Sequence, residues 1–278
     1  MRVHVWGVGE PRADAGTARH ADVSKSITRF RCSDPAAVST IVRMTCPGGL
    51  GAQTWTELDE RGCTLVVPLG SVEQHGPHLP LDTDVRIAAA VAEDVADRVA
   101  GDALVAPALN YGASGEHQSF PGTLSIGHEA LRILLVEFGR SACLWASRVV
   151  FVNGHGGNVA TLSSAVALLR HEGRDVVWFP CGVAGADAHA GETETSLLLH
   201  LSPQLVRSER VTSGNTTPLG ELMGAMRSGG VRAVSATGVL GDPVTASAGH
   251  GRELFDDLTA RLVSAVDRWS PDANGMIR

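Results

Sequence analysis

Six residues, Arg148-Val149-Val150-Phe151-Val152-Asn153, run almost without polar alternation and end against the turn Gly154-His155-Gly156-Gly157-Asn158. A strand that is apolar on both faces must be covered on both, which places it centrally in a parallel sheet. Parallel neighbours need crossover connections, and the rest of the chain supplies them. Strands are expected over 64–69, 104–109 and 176–180 as well. Helices are expected near 85–99, 128–147, 159–171, from Glu192 onward, and over 249–269. The second of these carries Leu131, Leu134, Leu135 and Phe138 on one face. Segment 110–125 is broken by glycine and proline, and 208–243 reads as loop-rich. The predicted fold is α/β, a layered α/β/α arrangement around a mostly parallel central sheet with right-handed crossovers. Ligands of such sheets bind beyond the C-terminal strand ends.

Composition narrows the class. The 278 residues, 44% of them hydrophobic, suffice for one large domain with a real core. That domain is expected over 44–278. Residues 1–43 lack apolar periodicity and are expected to be a flexible N-terminal extension, or an over-long reading frame that properly begins at Met44. A net charge of −7 argues against nucleic acid or an anionic membrane as partner. Cys32, Cys46, Cys63, Cys143 and Cys181 are widely spaced without a C-x-x-C pair, which suits reduced thiols in a cytoplasmic protein. No apolar run approaches the roughly 18–20 residues of a membrane span.

The chemistry gathers in three segments that follow strands and precede helices. The first is Leu65 to Asp84, a short strand leading into a loop stiffened by Pro77 and Pro80. Glu73 and His75 share a side while the backbone is extended. Asp82 and Thr83 are natural caps for the helix that follows, with Asp84 at its start and aimed back at the loop. Glutamate, histidine and aspartate converging at one turn form a ligand set for a hard metal. Helix capping alone would not need the prolines or the Glu-x-His pair.

The second segment holds His155 at the mouth of the sheet between glycines. Its rival reading is a metal-free module that binds an anion in the Gly154–Asn158 nest. A nucleotide fits poorly, since Val159 stands where the dinucleotide fingerprint wants Gly or Ala and no Lys follows. The third segment holds His189, Glu192 and Glu194. Glu192 is expected only to favour a helix start. His78 is expected to make a supporting hydrogen bond, and no G-x-S-x-G elbow supports a catalytic serine.

Taken in order, Gly70-Ser71-Val72-Glu73-Gln74-His75-Gly76-Pro77-His78-Leu79-Pro80 with Asp84, Phe120-Pro121-Gly122-Thr123, Asn153-Gly154-His155-Gly156-Gly157-Asn158 and His189 with Glu194-Thr195-Ser196 resemble the creatininase family. The resemblance covers the chain from about Trp55 to the final helix. It implies a creatininase-like fold, a homo-oligomer and two divalent metal ions per chain, for which Zn, Fe and Mn all suit the ligands. By resemblance one ion would be held by Glu73, Asp84 and His155, the other by His75, Asp84 and Glu194, and His189 would be the catalytic acid/base. Such ions acidify water and polarise an amide carbonyl, so the expected activity is hydrolysis of a C–N bond.

Two departures separate the chain from creatinine-cleaving members. Those carry a glutamate where this chain has Gly157, and a long aromatic-rich loop where it has only Cys181 through Ala188. Glu116 or His117 is the candidate to contact substrate or carry a proton in place of the missing carboxylate. The Gly-Gly-Asn turn, the short loop and Val239-Leu240-Gly241-Asp242-Pro243 look most like the members found in mycofactocin systems. That resemblance implies a peptidase acting on a short peptide with a modified C-terminus, releasing a Val-Tyr-derived dipeptide. Hydrolysis of creatinine or another small cyclic amide is the alternative.

Overall fold

The computed structural model describes residues 49–58, 62–183 and 185–278. The extension expected over 1–43 lies outside them. Four strands, β1 (Thr64–Leu69), β2 (Ala103–Val105), β3 (Arg148–Asn153) and β4 (Val176–Pro180), form one parallel sheet in the order β2-β1-β3-β4. Around them lie α1 (Trp55–Leu58), α2 (Thr83–Arg98), α3 (Gly127–Ala142), α4 (Val159–His171), α5 (Glu192–Leu201), α6 (Leu219–Gly229) and α7 (Ala248–Arg268).

Side chains alternate across a strand, and here both sets are buried. Leu65, Val67, Val149 and Phe151 pack with Leu131, Leu135, Leu162 and Leu169 of α3 and α4. Val66, Val150, Val152 and Phe179 face the other layer, with Ile87 and Val91 of α2, Leu197 of α5 and Leu258 and Leu262 of α7. The unalternating run at 148–153 is therefore a central strand covered on both sides, and the fold is layered α/β/α.

Strand order fixes where a site can form. β1 leads through α2 to β2 on one side, and β3 leads through α4 to β4 on the other. The strand order reverses between β1 and β3, where loops diverge and leave a crevice. Leu69 pairs with Asn153 there, so the segments carrying Glu73 and His155 leave from adjacent points.

Several local expectations change. Strand 104–109 shrinks to Ala103–Val105, because Pro107 has no N–H for the ladder; only the isolated bridge Leu69–Leu109 continues it. The helix expected to reach 147 stops at Ala142. The loop-rich segment 208–243 contains α6, whose Gly220, Gly224 and Gly229 mask it in sequence by weakening helix propensity. Its buried Leu222 instead joins Phe120, Val231 and Leu240 in a small third core. Asp82 makes no side-chain capping bond and pairs with Arg86 at 2.8 Å, while Thr83 Oγ1 donates to Pro80 O at 2.7 Å.

Candidate metal centre

Close backbone approach sets up the site. A Cβ on Gly70, just after β1, or on Gly154, just after β3, would collide with the backbone of Val85 or Asp84. These two glycines let the first turn of α2 settle onto the sheet's C-terminal edge and bring Asp84 between the neighbouring loops. Asn158 ties those loops together from a fully buried position. Its Oδ1 accepts from Ala113 N at 2.8 Å, and its Nδ2 donates to Gly70 O at 3.1 Å and Asn153 Oδ1 at 3.2 Å.

All eight residues singled out in the sequence converge here. His155 Nδ1 lies 3.2 Å from Glu73 Oε1 and 3.3 Å from Asp84 Oδ2. His75 Nε2 lies 3.0 Å from Asp84 Oδ1 and 3.8 Å from Glu194 Oε2. His189 Nδ1 is 3.8 Å and His117 Nε2 3.3 Å from Glu73 Oε1. Glu116 Oε1 stands 3.5 Å from His155 Nε2. Its carboxylate lies beside Gly157, where an added Cβ would come within 2.7 Å of that oxygen. The ground beside the missing glutamate is thus held by another carboxylate. His78 donates or accepts at Thr195 Oγ1 over 2.9 Å, the supporting bond expected of it.

Sequence reasoning passed over several residues. Gln74 contacts both His117 and His189. His189 is pinned to Leu240 by paired backbone bonds of 3.1 and 2.9 Å, so the Val239–Pro243 motif holds an active-site strap in place. Ala190 adopts a left-handed φ of 51°, and its N–H donates to Glu194 Oε2 at 2.7 Å. Asp187 caps α5 by accepting from Glu192 N and Thr193 N, while Glu192 sits in the first turn as expected. None of these has a local signal, since each depends on a partner distant in sequence or on the turn it sits in.

The donors fit a metal. Both carboxylate oxygens of Glu73 and Oδ2 of Asp84 are buried without a hydrogen-bond partner, a situation unfavourable for carboxylates unless something charged completes it. Among the described residues, three groups bring ligand atoms within 4.8 Å of one another: Glu73-Asp84-His155, His75-His189-Glu194 and Glu73-His117-His189. Electrostatics follow the same plan. Burial opposes a charge on His75, but Asp84, Glu194 and Glu73 overcome it and lift the imidazole to about 10. Burial likewise opposes charge on His155, which Glu73 and Asp84 nevertheless raise well above the usual imidazole range. Burial would raise Asp84, but His75 and His155 hold it well below the usual carboxylate range. Burial pushes Glu194 up to about 7 and lowers His117 to about 4. Burial, then His75 and His117, hold His189 well below the ordinary value. Three inward carboxylates also make the Gly154–Asn158 turn a poor anion nest.

A cleft of about 920 Å³ opens beside His155 and Glu194, bounded by Asp187, Asn215, Thr217 and His250. A switch-point cleft above a carboxylate–imidazole cluster is the arrangement of an α/β metal-dependent hydrolase. The family model for creatininase, creatinine amidohydrolase, matches residues 51–266. This chain belongs to the creatininase family, and it is a hydrolase acting on amide bonds. It is 58% identical over 235 residues to the mycofactocin precursor peptide peptidase of Mycolicibacterium smegmatis, covering 83% of this chain and 95% of that one. Among solved structures, creatinine amidohydrolase (creatininase) and a mutant creatininase of Zn-Zn type each align with a TM-score of 0.66 and 28% identity. Each covers 80% of this chain and 98% of its own.

Proposed function

We propose that this chain is a peptidase with two divalent metal ions, Zn, Fe or Mn, cleaving the modified C-terminus of the mycofactocin precursor peptide to release its Val-Tyr-derived dipeptide. The observation that carries the hydrolytic centre is the set of buried, unpartnered carboxylate oxygens on Glu73 and Asp84 facing His155. The likeness to the mycobacterial peptidase supports the substrate. Glu73, Asp84 and His155 would hold one ion and His75, Asp84 and Glu194 the other. Bound there, such ions acidify a water and polarise the scissile carbonyl.

The chain's own residues handle the protons. His189 gives Nε2–H to Gln74 O at 2.7 Å, so its Nδ1 is bare and faces the carboxylates. Kept neutral by burial, His189 takes a proton at Nδ1 from the attacking water and passes it to the leaving nitrogen. Glu116 is the second proton carrier, from its place beside Gly157. The cleft, bordered by the short 181–188 segment, admits a chain that continues past the scissile bond. Contacts along that chain align the carbonyl, whereas a small ring would forgo them.

The same reading takes 44–278 as one cytoplasmic, homo-oligomeric hydrolase domain. Its test supplies metal-loaded protein with creatinine and, separately, with a precursor peptide ending in a maturated Val-Tyr unit. Release of the dipeptide with creatinine untouched is expected by mass spectrometry. Rapid creatinine ring opening with intact peptide would reverse the substrate assignment, and inertness toward both would discard it.

A further inference from the structure

The four buried imidazoles of the centre are not held alike. Three give one ring N–H to a backbone carbonyl: His75 Nδ1 to Glu73 O at 3.1 Å, His155 Nε2 to Ala113 O at 3.2 Å and His189 Nε2 to Gln74 O at 2.7 Å. In the neutral ring their second nitrogen is bare and faces the carboxylates, as a metal ligand must. His117 is the exception. Its Nδ1 lies 2.8 Å from the side-chain nitrogen of Gln74.

That amide has one possible orientation. Gln74 Oε1 accepts from Gly76 N at 2.9 Å, and Gln74 Nε2 donates one hydrogen to Gly238 O at 3.2 Å. The second amide hydrogen has two imidazole nitrogens in reach, His117 Nδ1 and, at 3.0 Å, His189 Nε2. His189 Nε2 already carries the hydrogen it gives to Gln74 O, so it cannot accept. The hydrogen therefore goes to His117 Nδ1, which must be bare. A neutral His117 then carries its proton on Nε2, 3.3 Å from Glu73 Oε1.

We propose that Gln74 is a positioning residue that locks His117 as the Nε2–H tautomer, so that His117 turns a proton, not a lone pair, toward the Glu73 carboxylate and is not a metal ligand. The proposal rests on the proposed function in one respect, that Glu73 holds an ion. It separates the three ligand groups: Glu73-His117-His189 has metal-site spacing, yet its His117 corner offers a hydrogen where an ion needs a lone pair. An N–H dipole 3.3 Å from a ligating carboxylate attracts the oxygen it faces and so biases which oxygen is left for the ion.

The test begins with metal-free protein carrying 15N-labelled histidine, read by long-range 1H–15N correlation, with His117 assigned by its loss in His117→Gln. The expected spectrum shows His117 protonated at Nε2 and bare at Nδ1, unchanged by zinc titration. A proton on Nδ1, or loss of the Nε2 proton on adding zinc, overturns the proposal. In Gln74→Glu a carboxylate acceptor replaces the donor, and the His117 proton should move to Nδ1; an unaltered tautomer there would show that Gln74 does not set it. Zinc binding provides a second readout. His117→Gln keeps an N–H donor and should retain the wild-type zinc stoichiometry, while His117→Ala should bind about 10–100-fold more weakly. Loss of one zinc equivalent in His117→Gln would mark His117 as a ligand. Because the tautomer is read without metal, it is decided even if no peptide is cleaved.

Discussion

Asp84 is the residue on which the centre turns. Fully buried at the start of α2, it sends Oδ1 toward His75 and Oδ2 toward His155. A carboxylate placed so deeply is tolerated only with charged partners, and in the metal-free chain raised imidazoles supply them. On the proposed ligand set it serves both ions, so Asp84→Ala should abolish binding of both, while His75→Ala should chiefly release one. Elemental analysis of the purified variants reads this directly. A full metal complement with activity in Asp84→Ala would remove the bridging role. Both variants should stay folded, because the sheet core lies below the loop.

At the scale of elements, the placement of Asp84 depends on how closely α2 approaches β1 and β3. Gly154 has no room for a side chain against the Asp84 backbone. Gly154→Ala should push the first turn of α2 off the strand ends, destabilising the protein by about 1–3 kcal/mol, as overpacking does. It should also weaken metal binding without altering any ligand. Chemical denaturation and a competitive chelator titration check the two effects together. Gly156→Ala is the control, since a Cβ there meets nothing within 4 Å. Equal losses in both variants would mean that close packing is not what matters at Gly154.

For the whole molecule, the coupled imidazoles set a pH profile. His75 rises from 6.5 unfolded to about 10 folded, and His155 also rises. Their stabilisation is complete below about pH 6.5 and is lost as pH climbs toward 10. Glu194, raised from 4.5 to about 7, loses its share earlier, as pH rises from about 4.5 through 7. His78 and His117 are lowered to about 4, and His189 is lowered as well. What these contribute is present above their unfolded value and disappears as pH falls through the folded one. Chelator-treated protein should therefore have its highest Tm near neutrality. Zinc should flatten the alkaline fall, because cation binding replaces the protons on His75 and His155. A chelated Tm that keeps rising to pH 9 would contradict this profile.

Much of this was legible in the chain alone. The unalternating strand at 148–153 and the strand–turn–helix rhythm determined the parallel layered fold, because burial on both faces leaves a local imprint on composition. Separated motifs in fixed order pointed to Glu73, His75, Asp84, His155, His189 and Glu194, since ligand chemistry restricts residue type. Other features had no such imprint. Helix α6 is hidden by its glycines and held by Leu222 against Phe120 and Leu240. Glu116 was one of two candidates in the sequence, and only its placement beside Gly157 distinguishes it from His117. Gln74 reads as one more polar loop residue until Gly76, Gly238, His117 and His189 close around its amide. The sequence determined which groups are present and on which edge of the sheet they gather. Only the tertiary structure decided where each proton sits, because that depends on partners up to 164 positions apart in the chain.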